Sequence, residues 1–409
     1  MNIKKLNVVL VLTIILFILL IYTKPYLAID EKIIYVGGDI TSNYTSINEA
    51  MKYANEDDTI FVYNGTYFEN IKFFKSLKLI GEDKESTILQ YNGSDETVSI
   101  IVDGCTFNGF TVRNSIGGPY SGINIESNNN VITNNIIKNN SGLGIYMYYS
   151  SNNIIANNTL INDGLNIVGS IKNWNTHIIE NNTVNGKPLI FYQNMHNKKI
   201  LSLNAGQIIL VNCTNITIHN SNISNVDQAI VLGYSTFCSI TKNIISNNIF
   251  GIRLNYASNS SISENFIENN EYGIYIIHSN NNEIFKNELY SNKKYGCYLC
   301  CNSIFNTMFL NNFTLNNKNA YDVIGNQWYK NKTGNFWDDY NGSDNDGDGI
   351  GDDPYNNIMP LRNYIDPYPI VFFDNISEAD ETYGFDFTLF IFTVFILILI
   401  RKRYSSFKR

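Results

Sequence analysis

The chain has 409 residues, 44% of them hydrophobic, and a formal net charge of −8. That balance leaves no basic stripe to contact phosphates, which excludes nucleic acid as a partner. Six cysteines in so long a chain do not make a small disulfide scaffold.

At the start, Lys4 and Lys5 precede a run over residues 6–22 that is apolar but for Asn7 and Thr13. This reads residues 1–30 as an export signal, cleaved or kept as an anchor. Residues 31–120 open the fold with IIYVGGD, DTIFVYNGTYFEN, KSLKLIGE and GFTVRN, which read as alternating strands punctuated by glycine. Between them, Ile47, Ala50, Met51 and Ala54 share one helical face, with Thr45 or Ser46 as N-cap. Such a helix is expected to cover the open end of the core that follows.

Residues 121–325 repeat. AIVLGYSTFCSITKNIISNNIF, GIRLNYASNSSISENFIENNEY, GIYIIHSNNNEIFKNELYSNKKY and GCYLCCNSIFNTMFLNNFTLNNK share one template, with Ile230, Ile252, Ile274 and Cys297 at equivalent places. Inside each repeat the pattern has period two, and a second element follows, as in Ile262, Asn265, Ile267 and Asn270. Units of about 22 residues cannot bury an apolar face alone, so they stack as a solenoid. With short strands and no segment of period 3.6, the fold class is all-β, a parallel β-helix. Ile123, Ile145, Leu165, Leu189 and Ile208 extend the inward series back toward residue 121. The 66 asparagines are in phase: Asn135, Asn158, Asn182, Asn243, Asn265, Asn287 and Asn311 recur at one place in successive turns. Asparagine tolerates the left-handed backbone of a sharp corner, and its amide can donate to the next turn, forming a ladder.

After residue 325 the repeat fades into an Asp-rich closing segment, 326–370. A linker, 371–386, leads to residues 387–409, where a fourteen-residue run, apolar but for Thr388 and Thr393, precedes Arg401, Lys402 and Arg403. These read as a C-terminal transmembrane anchor, and both basic ends lie on the cytoplasmic side, leaving the body outside. Fourteen Asn-X-Ser/Thr sequons agree with an exterior, glycosylated body.

The opening resembles that of pectate-lyase-like right-handed β-helices, which run "DTI-V--G-Y-EN" into "LIGE". Residues 185–218, the turns of form GI-L / NN-I--N-I--N, the closing GN-W-DY-G-D-DGDGIGD-PY and the final YIDPYPI resemble NosD-type β-helix proteins of the archaeal surface kind. These are also called the carbohydrate-binding and sugar-hydrolase family. The resemblance covers most of residues 33–370. It implies a right-handed β-helix, and in bacterial members a part in maturing a copper enzyme.

Three places invite chemistry. Asp344, Asp346, Asp348, the Ile350 carbonyl, Asp352 and Asp353 alternate as oxygen ligands for a hard cation, read as structural Ca²⁺. The bidentate Glu of an EF-hand is missing, because Tyr355 stands there. An outward column carries Asn124, Tyr146, Asn166, Ile190, Ile209, Val231, Arg253, Tyr275 and Tyr298. Its aromatic and guanidinium groups, Tyr146, Arg253, Tyr275 and Tyr298, form a candidate glycan face. Soft metal sites need clustered His, Met and Cys. His177, His196, His219 and His278 are scattered, which disfavours copper, although Cys297, Cys300 and Cys301 are concentrated. Cys297 reads as core, and Cys300 and Cys301 are candidates to pair with Cys238. The paired-carboxylate signatures of a hydrolase do not occur as a set. The reading is a membrane-anchored, non-catalytic cell-surface module, structural or adhesive, whose partners are envelope glycans or proteins. A polysaccharide lyase or hydrolase and a copper accessory protein are the alternatives.

Overall fold

Runs such as Ile244–Ser246 and Phe266–Glu268 carry one buried residue between two half-buried ones, and each forms a three-residue strand. So short a strand pairs only with its equivalent one turn away: Ile245 faces Ile267, Ile267 faces Leu289, and Leu289 faces Phe313. Repeated along the chain, this gives the computed structural model its form, a right-handed parallel β-solenoid of about 13 turns with few helices. The structure describes residues 32–372, apart from 39–42, 92, 94, 114–119, 202–203 and 360–363. The expected membrane segments, 1–30 and 387–409, and nearly all of the linker 371–386 lie outside the described residues. Among those described, no helix is long and apolar enough to cross a membrane.

The helix Ile47–Tyr53 buries Ile47, Ala50 and Met51 against the first strands, and Ser46 is its N-cap through Oγ to the Glu49 N–H. Glu69 accepts from the Ile47 and Asn48 N–H groups and from Ser46 Oγ, each at 2.9 Å, placing a carboxylate on the helix N-terminus.

Amide ladders run through the corners. Asn265 Oδ1 accepts from Asn243 twice, from its N–H (3.0 Å) and its Nδ2 (2.9 Å), while Asn265 donates in the same way to Asn287. The chain of amides continues through Asn311 to Asn335. Shorter ladders link Asn135 to Asn158 to Asn182, and Asn282 to Asn306 to Asn326. Four of the ladders finish on side chains other than asparagine, three aspartates and one imidazole, each accepting the last backbone N–H. Asp366 Oδ2 takes the Asn335 N–H, Asp322 Oδ2 that of Asn326, Asp163 that of Asn140, and His177 Nδ1 that of Asn153. The ladder asparagines are not themselves the left-handed residues. The preceding residue takes φ near +55°, as at Asn134, Asn157, Lys242, Glu264, Lys286 and Leu310. The turn is made there, which lets the next side chain point inward.

The continuous inward series does not hold. Asn185 and Gly186, at φ +52° and +75°, form a two-residue hairpin between the strands Thr183–Val184 and Lys187–Gln193. Both sides belong to one 13-stranded sheet, yet strand direction reverses across the hairpin. Val184, which faces the core of the first coil, lies opposite Lys187, so Leu189 and Phe191 share its face. The register then pairs Ile190 with Ile208, and Ile208 with Ile230. The second core therefore lies on the opposite face of the sheet from the first. Ile190, not Leu189, continues the inward column, and Ile123, Ile145 and Leu165 belong to a separate five-stranded sheet.

The outer face of the second coil is thereby turned onto the open end of the first. Ile209, Val211 and Val231 are buried there although they face away from their own core. Trp174, from the helix Ile171–Trp174, packs on Gly233, where a Cβ would lie 2.5 Å from the indole. Side chains complete the exposed sheet edge. Gln207 Oε1 accepts the Leu165 N–H (3.0 Å) and its Nε2 donates to the Leu165 carbonyl (2.9 Å). Asp227 Oδ2 accepts the Gly144 and Gly164 N–H groups, both at 2.8 Å. Asp163 lies close by. Burial first, then the neighbouring Asp227, pushes its carboxyl up to about 8, while burial pushes Asp227 up to about 6.

Replacing Asn265 by Leu strips the acceptor from two Asn243 donors and is expected to cost about 2–4 kcal/mol in urea unfolding. Lys286→Asn, at φ +54°, is expected to gain about 1 kcal/mol, because asparagine carries the left-handed backbone more cheaply. Folding raises both junction carboxyl pKa values. Their contribution is thus complete below the ordinary carboxylate pKa and is lost as pH rises through about 6 and about 8. Unfolding midpoints should fall from pH 5 to pH 9 by an amount on the order of 2 kcal/mol, and Asp163→Asn should flatten that slope.

Candidate functional site

The fold brings Tyr146, Arg253 and Tyr275 together by a route other than one column. Tyr146 stands on the outer face of the five-stranded sheet of the first coil, and Arg253 and Tyr275 on the outer face of the second. The two faces meet in a re-entrant corner at the junction. Arg253 Nη1 donates to Gln228 Oε1 (3.0 Å) and to Asn166 Oδ1 (3.3 Å), and the guanidinium lies 5.5 Å from the centre of the Phe250 ring. Arg253 is only 7% exposed, which corrects the reading of it as an open surface group. Among the described residues no carboxylate lies within ion-pair distance of it. Burial lowers the pKa of the guanidinium, and the Tyr275 and Tyr146 hydroxyls and the Cys300 thiol, which lie near it, oppose that shift. Around it, Arg253 Nε, Gln228 Nε2, Asn255 Oδ1 and Asn124 Oδ1 are buried without a partner. Burial pushes Tyr146 up to about 12 and raises Tyr275 as well, so both phenols stay protonated and can donate.

The rings themselves are stacked. Tyr275 lies 5.1 Å from Tyr298, which lies 4.3 Å from Tyr321, with planes 5° and 7° apart. A second column, Phe250, Tyr272 and Tyr295, meets the first edge to face, and Lys294 and Lys318 sit over Tyr272 and Tyr295. The ring faces cover one another, so these tyrosines present edges and hydroxyls outward rather than open faces.

Beside this corner a cleft of about 360 Å³ is lined by Asn140, Asn162, Asn225, Asp227, Glu271 and Lys293 among others. Asp163 and Asp227 are 0% and 2% exposed, and both hold backbone N–H groups, which makes the pair a latch between coils. Neither is an ion-pair partner of Arg253.

The thiols divide into two groups. Cys105, Cys213, Cys238 and Cys297 are buried, and burial raises each thiol pKa. Cys238 sits in the second core and does not meet Cys300 or Cys301, which corrects that pairing. Cys300 and Cys301 instead meet each other, with Sγ atoms 2.8 Å apart and Cys301 exposed. His177 is buried and held neutral, its pKa lowered by burial to about 4, with Nδ1 accepting from Asn153. His278 stacks on Tyr256 at 4.6 Å. It occupies the same corner position as Cys301 one turn on, because Ile277 pairs with Cys300.

In the closing segment, Asp344, Asp346 and Asp348 bring carboxylate oxygens within 4.8 Å of one another. Asp344 also accepts from the Gly347 and Gly349 N–H groups. Asp352 is turned to Asn345 and stands outside this group, as does Asp353, whose carbonyl accepts from Tyr340. Asp338 and Asp339 hold Asn319, and Asp339 also takes Tyr355 and Asn357, so both are engaged away from this group. Ile350 forms a bridge to Ile370.

A family profile described as "Periplasmic copper-binding protein (NosD)" matches residues 51–204 and 185–342. No curated protein matches the sequence. Similar solved structures include pectin methylesterase from carrot, at 14% identity and TM-score 0.30, covering 62% of this chain and 82% of that one. Lacto-N-biosidase from Eubacterium ramulus follows at 10% and 0.33, covering 72% and 67%. A pectate lyase stands at 15% and 0.27, covering 74% of each.

Proposed function

The chain belongs to the NosD family, and from that premise we propose that it works in the cell envelope as a non-catalytic β-helix that binds saccharide at the junction of its two coils. The observation that carries this reading is the convergence of Tyr146, Arg253, Tyr275 and Tyr298 on one re-entrant corner. Buried amide and guanidinium atoms without partners sit beside the phenols there. Phenol edges, amides and a fixed guanidinium offer hydrogen bonds to sugar hydroxyls, and buried polar groups left unpaired favour a ligand that pairs them. The stacked rings hold the hydroxyls in place at little cost in side-chain freedom. The absence of carboxylates at ion-pair distance from Arg253, among the described residues, weighs against lyase or hydrolase chemistry at this corner. The body is held outside the cell by membrane anchors at residues 1–30 and 387–409, and it takes its partners from envelope glycans. Ca²⁺ held by Asp344, Asp346 and Asp348 steadies the closing segment.

A glycan array probed with the full chain in detergent tests the first part. Specific binding should fall at least tenfold in Tyr146→Phe and in Tyr298→Ala, and a blank array from folded protein contradicts the reading. For the loop, Ca²⁺ at a hundred times its Kd should stabilise the protein by about 2.7 kcal/mol. Chelation, or Asp346→Asn, should remove that gain in a melting experiment.

A further inference from the structure

Strand register gives Arg253 an ordinary outward place, with Val231 before it in the column and Tyr275 after it. Docking of the first coil nevertheless leaves it only 7% exposed. A guanidinium keeps its proton in such a place, and a buried charge without a counter-ion is costly. Its donors are only partly used. Nη1 donates to the side-chain carbonyls of Gln228 and Asn166, neutral dipoles that orient the group without cancelling its charge. Nε is buried with no partner, whereas Nη2 makes no hydrogen bond and is not buried. Nη2 is therefore the nitrogen that meets the surface.

Other donors converge there. The Tyr146 hydroxyl of the first coil and the Tyr275 hydroxyl of the second lie near the guanidinium, and Gln228 Nε2 is buried with no partner. The acid beside Tyr146 is Glu126, which is exposed and accepts from Asn124 Nδ2 at 2.8 Å. At the rim, Lys318 lies over Tyr295 and, like Arg253, has no ion-pair partner among the described residues. We propose that this corner selects its saccharide by charge, Arg253 taking a carboxylate or sulfate carried on the sugar through Nη2, with the Tyr146 and Tyr275 hydroxyls donating to the same group.

This inference rests on the saccharide reading and adds the chemical class of the ligand. A neutral sugar hydroxyl can accept from Nη2, but water does the same, and either leaves the buried charge uncancelled. An anionic oxygen supplies a charge-assisted hydrogen bond and the missing counter-charge together. The acceptors at the corner argue for a sugar rather than a bare anion. Asn255 stands two residues from Arg253 on the same face, and Asn124 is paired with Tyr146. The Oδ1 atoms of both are buried without partners. They would repel an anionic oxygen but suit hydroxyl donors beside it, so the ligand carries both kinds of group.

The test is an array of neutral, carboxylated and sulfated glycans probed with the full chain in detergent. Bound glycans should be acidic, and whether the carboxylated or the sulfated ones bind identifies the group. Reducing the carboxyl to a hydroxymethyl, or removing the sulfate, should weaken binding to the native chain at least tenfold, a comparison that involves no variant. Arg253→Gln with native circular dichroism should lose at least tenfold for acidic glycans, and Lys318→Gln about threefold. Raising salt from about 0.05 M to about 0.5 M should weaken native binding by screening. Neutral glycans bound as tightly as their acidic counterparts overturn the inference and leave the saccharide reading standing, whereas a blank array from folded protein overturns both. Undiminished binding of acidic glycans by Arg253→Gln also overturns it.

Discussion

A coil of fixed hand that reverses its strand direction within one sheet must move its interior to the other face of that sheet. This constraint, imposed at Asn185 and Gly186, organises the molecule. In the first coil, Val184 marks the inward face of the shared sheet, and beyond the hairpin that same face carries Gln207, Ile209, Val231 and Arg253 and looks outward. An outward face so placed meets the open end of the first coil. A solenoid end needs a cover because its apolar core and unpaired strand edge otherwise meet water. Here each half serves the other, and the surface between them becomes the one concave corner where outer faces of both coils meet.

Polar termination is the second theme. The last asparagine of a ladder has no further asparagine to take its backbone N–H, and buried donors without acceptors are costly. Asp366 and Asp322 answer this at the closing end, where Trp337 is also sandwiched between Phe313 and Tyr355 at 4.4 and 4.2 Å. Asp163 and His177 answer it where the first coil stops. The coil length is thus written in side-chain chemistry: where an aspartate or an imidazole replaces the next asparagine, the stack ends.

Much of this was legible in the sequence. The 22-residue step placed Ile230, Ile252, Ile274 and Cys297 in register, and the phase of the asparagines announced the ladders. The helix followed from the spacing of Ile47, Ala50 and Met51, whereas its cap was narrowed only to Thr45 or Ser46, and Ala54 proves to be the C-cap. The reversal was missed although its signal, an Asn-Gly pair between apolar runs, is the strongest short-range mark of a hairpin. The strand after it, with Leu189, Ile190, Phe191 and Tyr192 in succession, carries apolar residues on both faces, so period two could not fix which pointed inward. The cover over Arg253 comes from residues more than eighty positions earlier, which no local pattern records. Cys300 and Cys301 are visibly adjacent in the sequence, whereas the corner position that Cys301 shares with His278 one turn away needed the register of the strands.

The docking of the two coils is tested most directly by hydrogen exchange at the Gly144, Gly164 and Leu165 amides, whose acceptors are the side chains of Asp227 and Gln207 from the other coil. The account predicts slow exchange at all three in the native chain. It also predicts a rise confined to the Gly144 and Gly164 amides in Asp227→Ala, and to the Leu165 amide in Gln207→Ala. Fast exchange in the native chain, at the rate of an open sheet edge, would contradict the junction on which the proposed saccharide site depends.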